Sequence, residues 1–265
     1  MHTPTSFKFE VTDQVALITL NRPDTLNSLT FEVYQQLTQL FAELEREKSV
    51  RSVVITGEGR GFCSGGDQHD IIKELFSRDM PGLVEFTRMT CELIRNIRAL
   101  RKPVVAALNG TAAGAGAVIA LAADLRVASE KAKIAFLFTK VGLAGADMGA
   151  AYLLPKVVGL SRATELLYFG DVIDAPTAEK YGLFNKVVPH DQVLIEAMAW
   201  ATRLANGPTF ALGMTKELLN AELNMDLWNA LENEARAQAV CMQTQDFREA
   251  YDAFSNKRPA RFQGK

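Results

Sequence analysis

Two stretches of this sequence could do chemistry with their backbone alone. Gly61-Phe62-Cys63-Ser64-Gly65-Gly66-Asp67 leads into a helical pattern near Gln68 to Phe76, and Asn109-Gly110-Thr111-Ala112-Ala113-Gly114-Ala115-Gly116 leads into another at Ala117 to Ala123. Glycine lets a backbone come close to a ligand, and the first amides of a helix are unpaired donors carrying a partial positive charge. Amides so placed can hold an anionic oxygen, although the same pattern also serves tight turns with nothing bound. Neither stretch fits the GxxxxGK[ST] phosphate loop. A side chain able to move a proton follows in Gly142-Leu143-Ala144-Gly145-Ala146-Asp147-Met148-Gly149. In an apolar, glycine-lined loop the Asp147 carboxyl resists ionisation and is tuned toward acid/base work. As the residue opening a helix that leads to Leu154, it would equally serve as an N-cap. His69, beside Asp70, is a secondary candidate for proton transfer or else part of an exposed helix face.

The elements that must position these groups are legible as apolar runs. Phe7 to Val11 and Val15 to Leu20 read as paired strands, and Asn21-Arg22-Pro23-Asp24 breaks the run as a turn. A helix follows from about Phe31, with Val33, Leu37, Leu40, Phe41 and Leu44 on one face. Ser52 to Gly57 and Pro103 to Leu108 read as buried strands, each running into a glycine-rich loop, so that both loops can share one edge of a sheet. From about Ser161 the pattern turns helical, with helices expected over Asp191 to Ala205 and, as one long element, Leu227 to Phe254. Strands alternating with helices predict an α/β core.

The chain has 265 residues, 48% hydrophobic and 23% charged, which suffices for a sizeable core. Lys and Arg number 29 against 31 acidic residues, a balance that argues against a nucleic-acid or membrane-surface partner. The opening MHTPTSFKFEV lacks the marks of a secretory signal and no run of 18 apolar residues occurs, so a cytoplasmic protein is expected. Cys63, Cys91 and Cys241 show no metal-ligand spacing, and read as reduced thiols with no metal site.

Several phrases in order give the chain a wider resemblance. Asn21-Arg22-Pro23 with Leu26-Asn27-Ser28-Leu29, then Phe62 to Asp67, Lys102-Pro103 leading to Asn109-Gly110, and Ala122-Ala123-Asp124 follow the pattern of the enoyl-CoA hydratase/isomerase (crotonase) superfamily. Ala178 to Leu183, Asn185 to Val188 and the ending Phe254 to Gly264 follow it too. The resemblance covers nearly the whole chain. It implies a crotonase-type spiral of β-β-α units over residues 1–190 and a C-terminal helical trimerisation region over 191–265, assembled as a homotrimer or hexamer. It implies an acyl-CoA thioester as substrate and no cofactor beyond that coenzyme A. The family's two oxyanion amides fall on Gly66 and Ala115. Coenzyme A contacts are implied at Leu26, Asn27 and Ser28, at Ser64, Gly65 and Asp67 of the first loop, and at Lys257 or Arg258, which could equally be a solvated tail.

The sequence departs from the family where the hydratases carry their two glutamates, because those positions hold Val118 and Phe138. Neither side chain moves a proton. Around Asp147 the sequence resembles the dienoyl-CoA isomerases, in which an aspartate beside a Gly-Leu-Ala stretch acts as acid/base, and the related aroyl-CoA dehalogenases carry a nucleophilic aspartate near this place. Val118, Phe138 and Met148, with Phe136, suggest an apolar acyl pocket, though such residues are core as often. Tyr152 is expected to pack in the core, and Glu85 and Glu92 to be solvated. The resulting expectation is an acyl-CoA enzyme performing double-bond isomerisation or atypical hydration in fatty or aromatic acyl breakdown. The alternatives are a CoA-ester binding protein with little catalysis, or another enolate reaction such as decarboxylation, ring cleavage or hydrolysis.

Overall fold

In a computed structural model, which describes residues 3–265, the apolar runs form two sheets. The strands are β1 (Phe7–Thr12), β2 (Val15–Leu20), β3 (Ser52–Gly57), β4 (Gly61–Cys63), β5 (Val104–Leu108), β6 (Thr111–Ala113), β7 (Leu125–Ser129), β8 (Lys133–Ala135), β9 (Ile173–Asp174) and β10 (Lys186–Val188). The larger sheet has the order β1-β2-β3-β5-β7-β10 and the smaller one β4-β6-β8-β9. β1 pairs antiparallel with β2, from Phe7 opposite Leu20 to Thr12 opposite Val15. The other pairs of the larger sheet are parallel.

The chain thus repeats one step: a strand enters the larger sheet, the next enters the smaller sheet, and a helix returns. β3, β4 and helix Met80–Ala99 make one such unit, and β5, β6 and helix Ala115–Ala122 the next. This is the expected β-β-α spiral. Each expected glycine-rich loop is therefore partly strand, since Gly61–Cys63 and Thr111–Ala113 are β4 and β6, and the second helix begins at Ala115 rather than Ala117. β4 and β6 are parallel neighbours, so the two segments leaving them emerge side by side.

Both faces of the larger sheet are covered, which is why β3 and β5 are buried at every residue. Ile18, Val53, Ile55, Val104, Ala106 and Leu108 face a main core shared with helix Phe31–Leu44 and helix Ala115–Ala122. Val15, Val54, Val105, Ala107 and Val127 face Val193, Ala197, Ala201 and Ala205. That valine and three alanines recur every fourth position along helix Val193–Ala205, one face of a helix brought flush to a sheet. Helix Ala115–Ala122 is apolar all round and is buried at all eight residues.

The expected long helix over Leu227 to Phe254 is two helices, Leu227–Met242 and Gln245–Ser255. Thr244 interrupts it, because its side chain accepts the Phe247 N–H and caps the second helix. No helix among the described residues is long and apolar enough to cross a membrane.

Candidate active site

The segments after β4 and β6 meet through their backbones. Leu29 N–H donates to the Gly65 carbonyl at 2.8 Å and Asp67 N–H to the Leu29 carbonyl at 2.9 Å, a parallel bridge centred on Gly66. In such a bridge the flanking residues carry the bonds, so the Gly66 N–H turns to the opposite side. Across from it Ala115 is the first residue of its helix, where the amide has no intrahelical partner. Neither amide donates to another described residue. Gly65 has φ +99° and Gly114 φ +52°, values that glycine adopts freely. A Cβ on Gly65 would lie 3.1 Å from the Ala113 carbonyl oxygen and 3.5 Å from the Ala115 nitrogen. Two donors without an acceptor among the described residues thus stand on adjoining segments.

The first segment is fastened by Asp67 and Asn27. The buried Asp67 carboxylate accepts from the amides of His69 and Asp70, from the Ser28 hydroxyl at 2.8 Å and from Arg22 at 3.0 Å. Burial alone would raise its pKa, but these four donors outweigh that and hold the group well below the usual carboxylate range. The Asn27 side chain donates to the carbonyls of Glu58 and Gly61 and accepts from the Arg22 amide. Ser64 N–H donates to the Leu26 carbonyl at 2.9 Å. The structure therefore gathers Leu26, Asn27, Ser28, Ser64, Gly65 and Asp67, with the polar side chains of Asn27, Ser28 and Asp67 spent on the loop itself. His69 is exposed on the turn of π-helix Gln68–Ile72, and Asp70 accepts the Phe31 N–H.

Asp147 lies three residues ahead of helix Ala150–Val158, whose N-cap is Gly149 at φ +91°. Its side chain accepts the Met148 N–H at 2.9 Å and does not cap the helix. Burial raises the half-buried carboxyl above its ordinary pKa, with the Met148 N–H pulling the other way. The charge of Asp147 is felt by the Tyr34 hydroxyl and by the Cys91 thiol, so these groups share one neighbourhood. Tyr34 projects from helix Phe31–Leu44, is 2% exposed, and places its hydroxyl 4.0 Å from the Met148 sulfur. The buried Cys63 thiol, pushed up to about 12 by desolvation despite the Gly65 N–H, belongs to the same core cluster as Tyr34. Val118, Phe136, Phe138 and Met148 are all buried in the same core cluster as Tyr34.

Tyr34 did not stand out in the sequence, where it reads as one more residue between Val33 and Leu37. The available signal was a hydroxyl on an otherwise apolar helix face. Tyr152 is not in the core: it is 48% exposed, with the Lys156 ammonium 3.3 Å above its ring and its hydroxyl bonded to Asn224. Arg258 is held by Glu249 in a two-pronged ion pair at 2.6 and 2.8 Å. Lys257 is exposed after helix Gln245–Ser255, and no side-chain hydrogen bond or ion pair among the described residues ties it to the loops. Glu85 is exposed, and Glu92 pairs with Arg95 at 2.5 Å.

Comparison with known proteins places this geometry in context. Residues 10–265 match the family described as enoyl-CoA hydratase/isomerase. The chain is 37% identical to the 1,2-epoxyphenylacetyl-CoA isomerase of Escherichia coli (strain K12), over 95% of each chain. A crystal structure of a provisionally named enoyl-CoA hydratase from Streptomyces coelicolor A3(2) is 52% identical, with TM-score 0.97 over 99% of this chain and 95% of that one. An enoyl-CoA hydratase structure from Bacillus anthracis is 30% identical, with TM-score 0.92 over 98% of this chain and 100% of that one.

Proposed function

Since the chain belongs to the enoyl-CoA hydratase/isomerase family, we propose that it is an acyl-CoA isomerase in which Asp147 carries the proton and the Gly66 and Ala115 amides hold the thioester oxygen. Removing a proton beside a thioester carbonyl puts negative charge on that oxygen. Two fixed N–H donors stabilise the enolate-like state, each contributing on the order of 3 kcal/mol.

One observation carries the choice of isomerisation over hydration. Adding water across a double bond needs one group to activate water and another to deliver a proton, whereas moving a double bond needs one base that takes a proton and returns it elsewhere. The hydratase positions are occupied by Val118, fully buried, and Phe138, 7% exposed, while one desolvated carboxylate, Asp147, lies on the loop ahead of helix Ala150–Val158. The isomerase relative acts on an epoxyphenylacetyl-CoA by its name, which supports a ring-bearing acyl substrate here beside the fatty acyl one.

The adenosine end of coenzyme A is assigned to the Leu26, Ser64 and Gly65 surface, with Lys257 as a phosphate contact. The acyl group is assigned to the side of the site where Val118, Phe138 and Met148 are packed. Exposed apolar residues along the last helices, among them Trp228 at 78% and Phe254 at 86%, support burial in a homotrimer or hexamer. A cytoplasmic location and a substrate-borne coenzyme A with no further cofactor complete the reading. The absence of both glutamates also suits a CoA-ester binder without turnover, whereas a carboxyl raised by burial suits an acid/base role.

Incubation with 2-enoyl-, 3-enoyl-, 3,5-dienoyl- and 1,2-epoxyphenylacetyl-CoA, followed by absorbance and mass spectrometry, decides between them. Rearranged product of unchanged mass is expected. Tight binding with no product, or a product 18 mass units heavier alone, overturns isomerisation.

A further inference from the structure

Tyr34 has no part in the chemistry assigned so far, yet it is a buried hydroxyl near enough to Asp147 to feel its charge. Its helix face otherwise consists of Val33, Leu37, Leu40, Phe41 and Leu44, which need no hydrogen-bond partner. A buried tyrosine hydroxyl normally has one. Here the partner is the Met148 sulfur at 4.0 Å, a weak acceptor at long range. The ring cannot swing the hydroxyl to solvent, being 2% exposed and packed edge-on against Phe86 with centroids 6.3 Å apart. The titratable groups that face this corner are Cys63 from β4, Cys91 from helix Met80–Ala99, and Asp147 from the loop. Both thiols are pushed upward by desolvation and are neutral at pH 7, so the carboxylate is the strongest acceptor among these groups.

We propose that Tyr34 is a positioning residue for Asp147, its hydroxyl donating to the carboxylate through one water and so holding it oriented and ionised as the proton acceptor. The proposal rests on the acid/base reading of Asp147. Burial, then the charges of Cys63 and Asp147, raise the Tyr34 hydroxyl well above its ordinary pKa, so it stays protonated and remains a donor at every working pH. Met148 joins the two groups physically: its amide binds the Asp147 carboxylate and its sulfur lies against the Tyr34 hydroxyl.

The test uses the full-length protein with 13C-carboxyl-labelled aspartate, wild type and Tyr34→Phe, a change that keeps the ring and its packing. The Asp147 resonance is assigned by its loss in Asp147→Asn. Removing a donor from the ionised form must raise the titration midpoint, and a rise of about one pH unit is expected. The acidic limb of kcat/KM with 3-hexenoyl-CoA should move upward by the same amount. An unchanged or lower midpoint overturns the proposal, as does a uniform fall in rate with no movement of the limb, which is what lost packing alone produces. Turnover of no acyl-CoA overturns the acid/base reading instead, and the midpoint still decides whether Tyr34 and Asp147 are coupled.

Discussion

Asp147→Asn separates chemistry from structure more sharply than any other single change in this chain. The asparagine side chain can still accept the Met148 N–H, so the loop geometry at 2.9 Å is retained. The alternative positions for a proton carrier are occupied by Val118 and Phe138, both buried and apolar, which leaves no carboxylate there to substitute. The full contribution of a general acid/base is then lost, about 10³- to 10⁴-fold in kcat/KM, or roughly 4–5.5 kcal/mol. Stability should move the other way. The folded carboxyl titrates above its ordinary value near 4, so its favourable contribution is complete below that pH and is lost as pH rises through the folded value. At pH 7 the ionised, half-buried group opposes folding, and the amide removes that opposition. Turnover of 3-enoyl-CoA and calorimetric Tm, each at pH 7 and pH 4, are the assays. The variant should be inactive with an equal or higher Tm at pH 7, and its advantage should shrink at pH 4. Activity within about tenfold of wild type refutes the reasoning, and so does activity lost together with a fall in Tm at pH 7, which marks a structural carboxylate.

Three further outcomes follow from the same geometry. Ala115→Pro deletes one amide at the first helical position, where proline suits the helix, and should lower kcat by about 10²–10³-fold with an unchanged circular-dichroism spectrum. Asp67→Ala should cost about 1–3 kcal/mol in urea denaturation at pH 7, through the loss of an N-cap and its buried hydrogen bonds. Because the folded Asp67 carboxyl is held low, its stabilisation is present above the unfolded value near 4 and is lost as pH falls, so the gap to wild type should close on acidification. Gly116→Ala would set a Cβ 2.2 Å from the Cys63 carbonyl oxygen, so β4 and helix Ala115–Ala122 must part, at a cost of about 1–3 kcal/mol or more by the same assay.

What the sequence revealed and what it hid divide along physical lines. Ser52 to Gly57 and Val104 to Leu108 were readable as buried strands because a parallel sheet covered on both faces demands unbroken apolar runs. The two glycine segments were readable because left-handed backbone at Gly65 and Gly114 leaves a compositional mark. The three-residue strands β4 and β6 were not, since their length carries no period, and yet their parallel pairing is what brings the two amide segments together. Asp67 gave no sign that four donors would engage it, because Arg22 and Ser28 lie some forty residues away in sequence. Thr244 did announce a cap, but the apolar spacing on either side masked it.

The division also says how one scaffold can change reaction. The donors that polarise the thioester in the proposed mechanism are main-chain amides, fixed by β4, β6 and the Leu29 bridge, and no substitution short of proline removes them. The proton carrier is a side chain, and its place is free to move. Val118 stands on the buried helix that begins at Ala115, while Asp147 stands on an irregular loop held by Met148 and Gly149. Shifting the carboxylate from the helix to the loop keeps the charge-stabilising part of the site and replaces a two-group constellation with a single group. In the proposed mechanism a single group returns the proton it takes, so the electrostatics of the fold are kept and the reaction class follows from the position of one carboxylate.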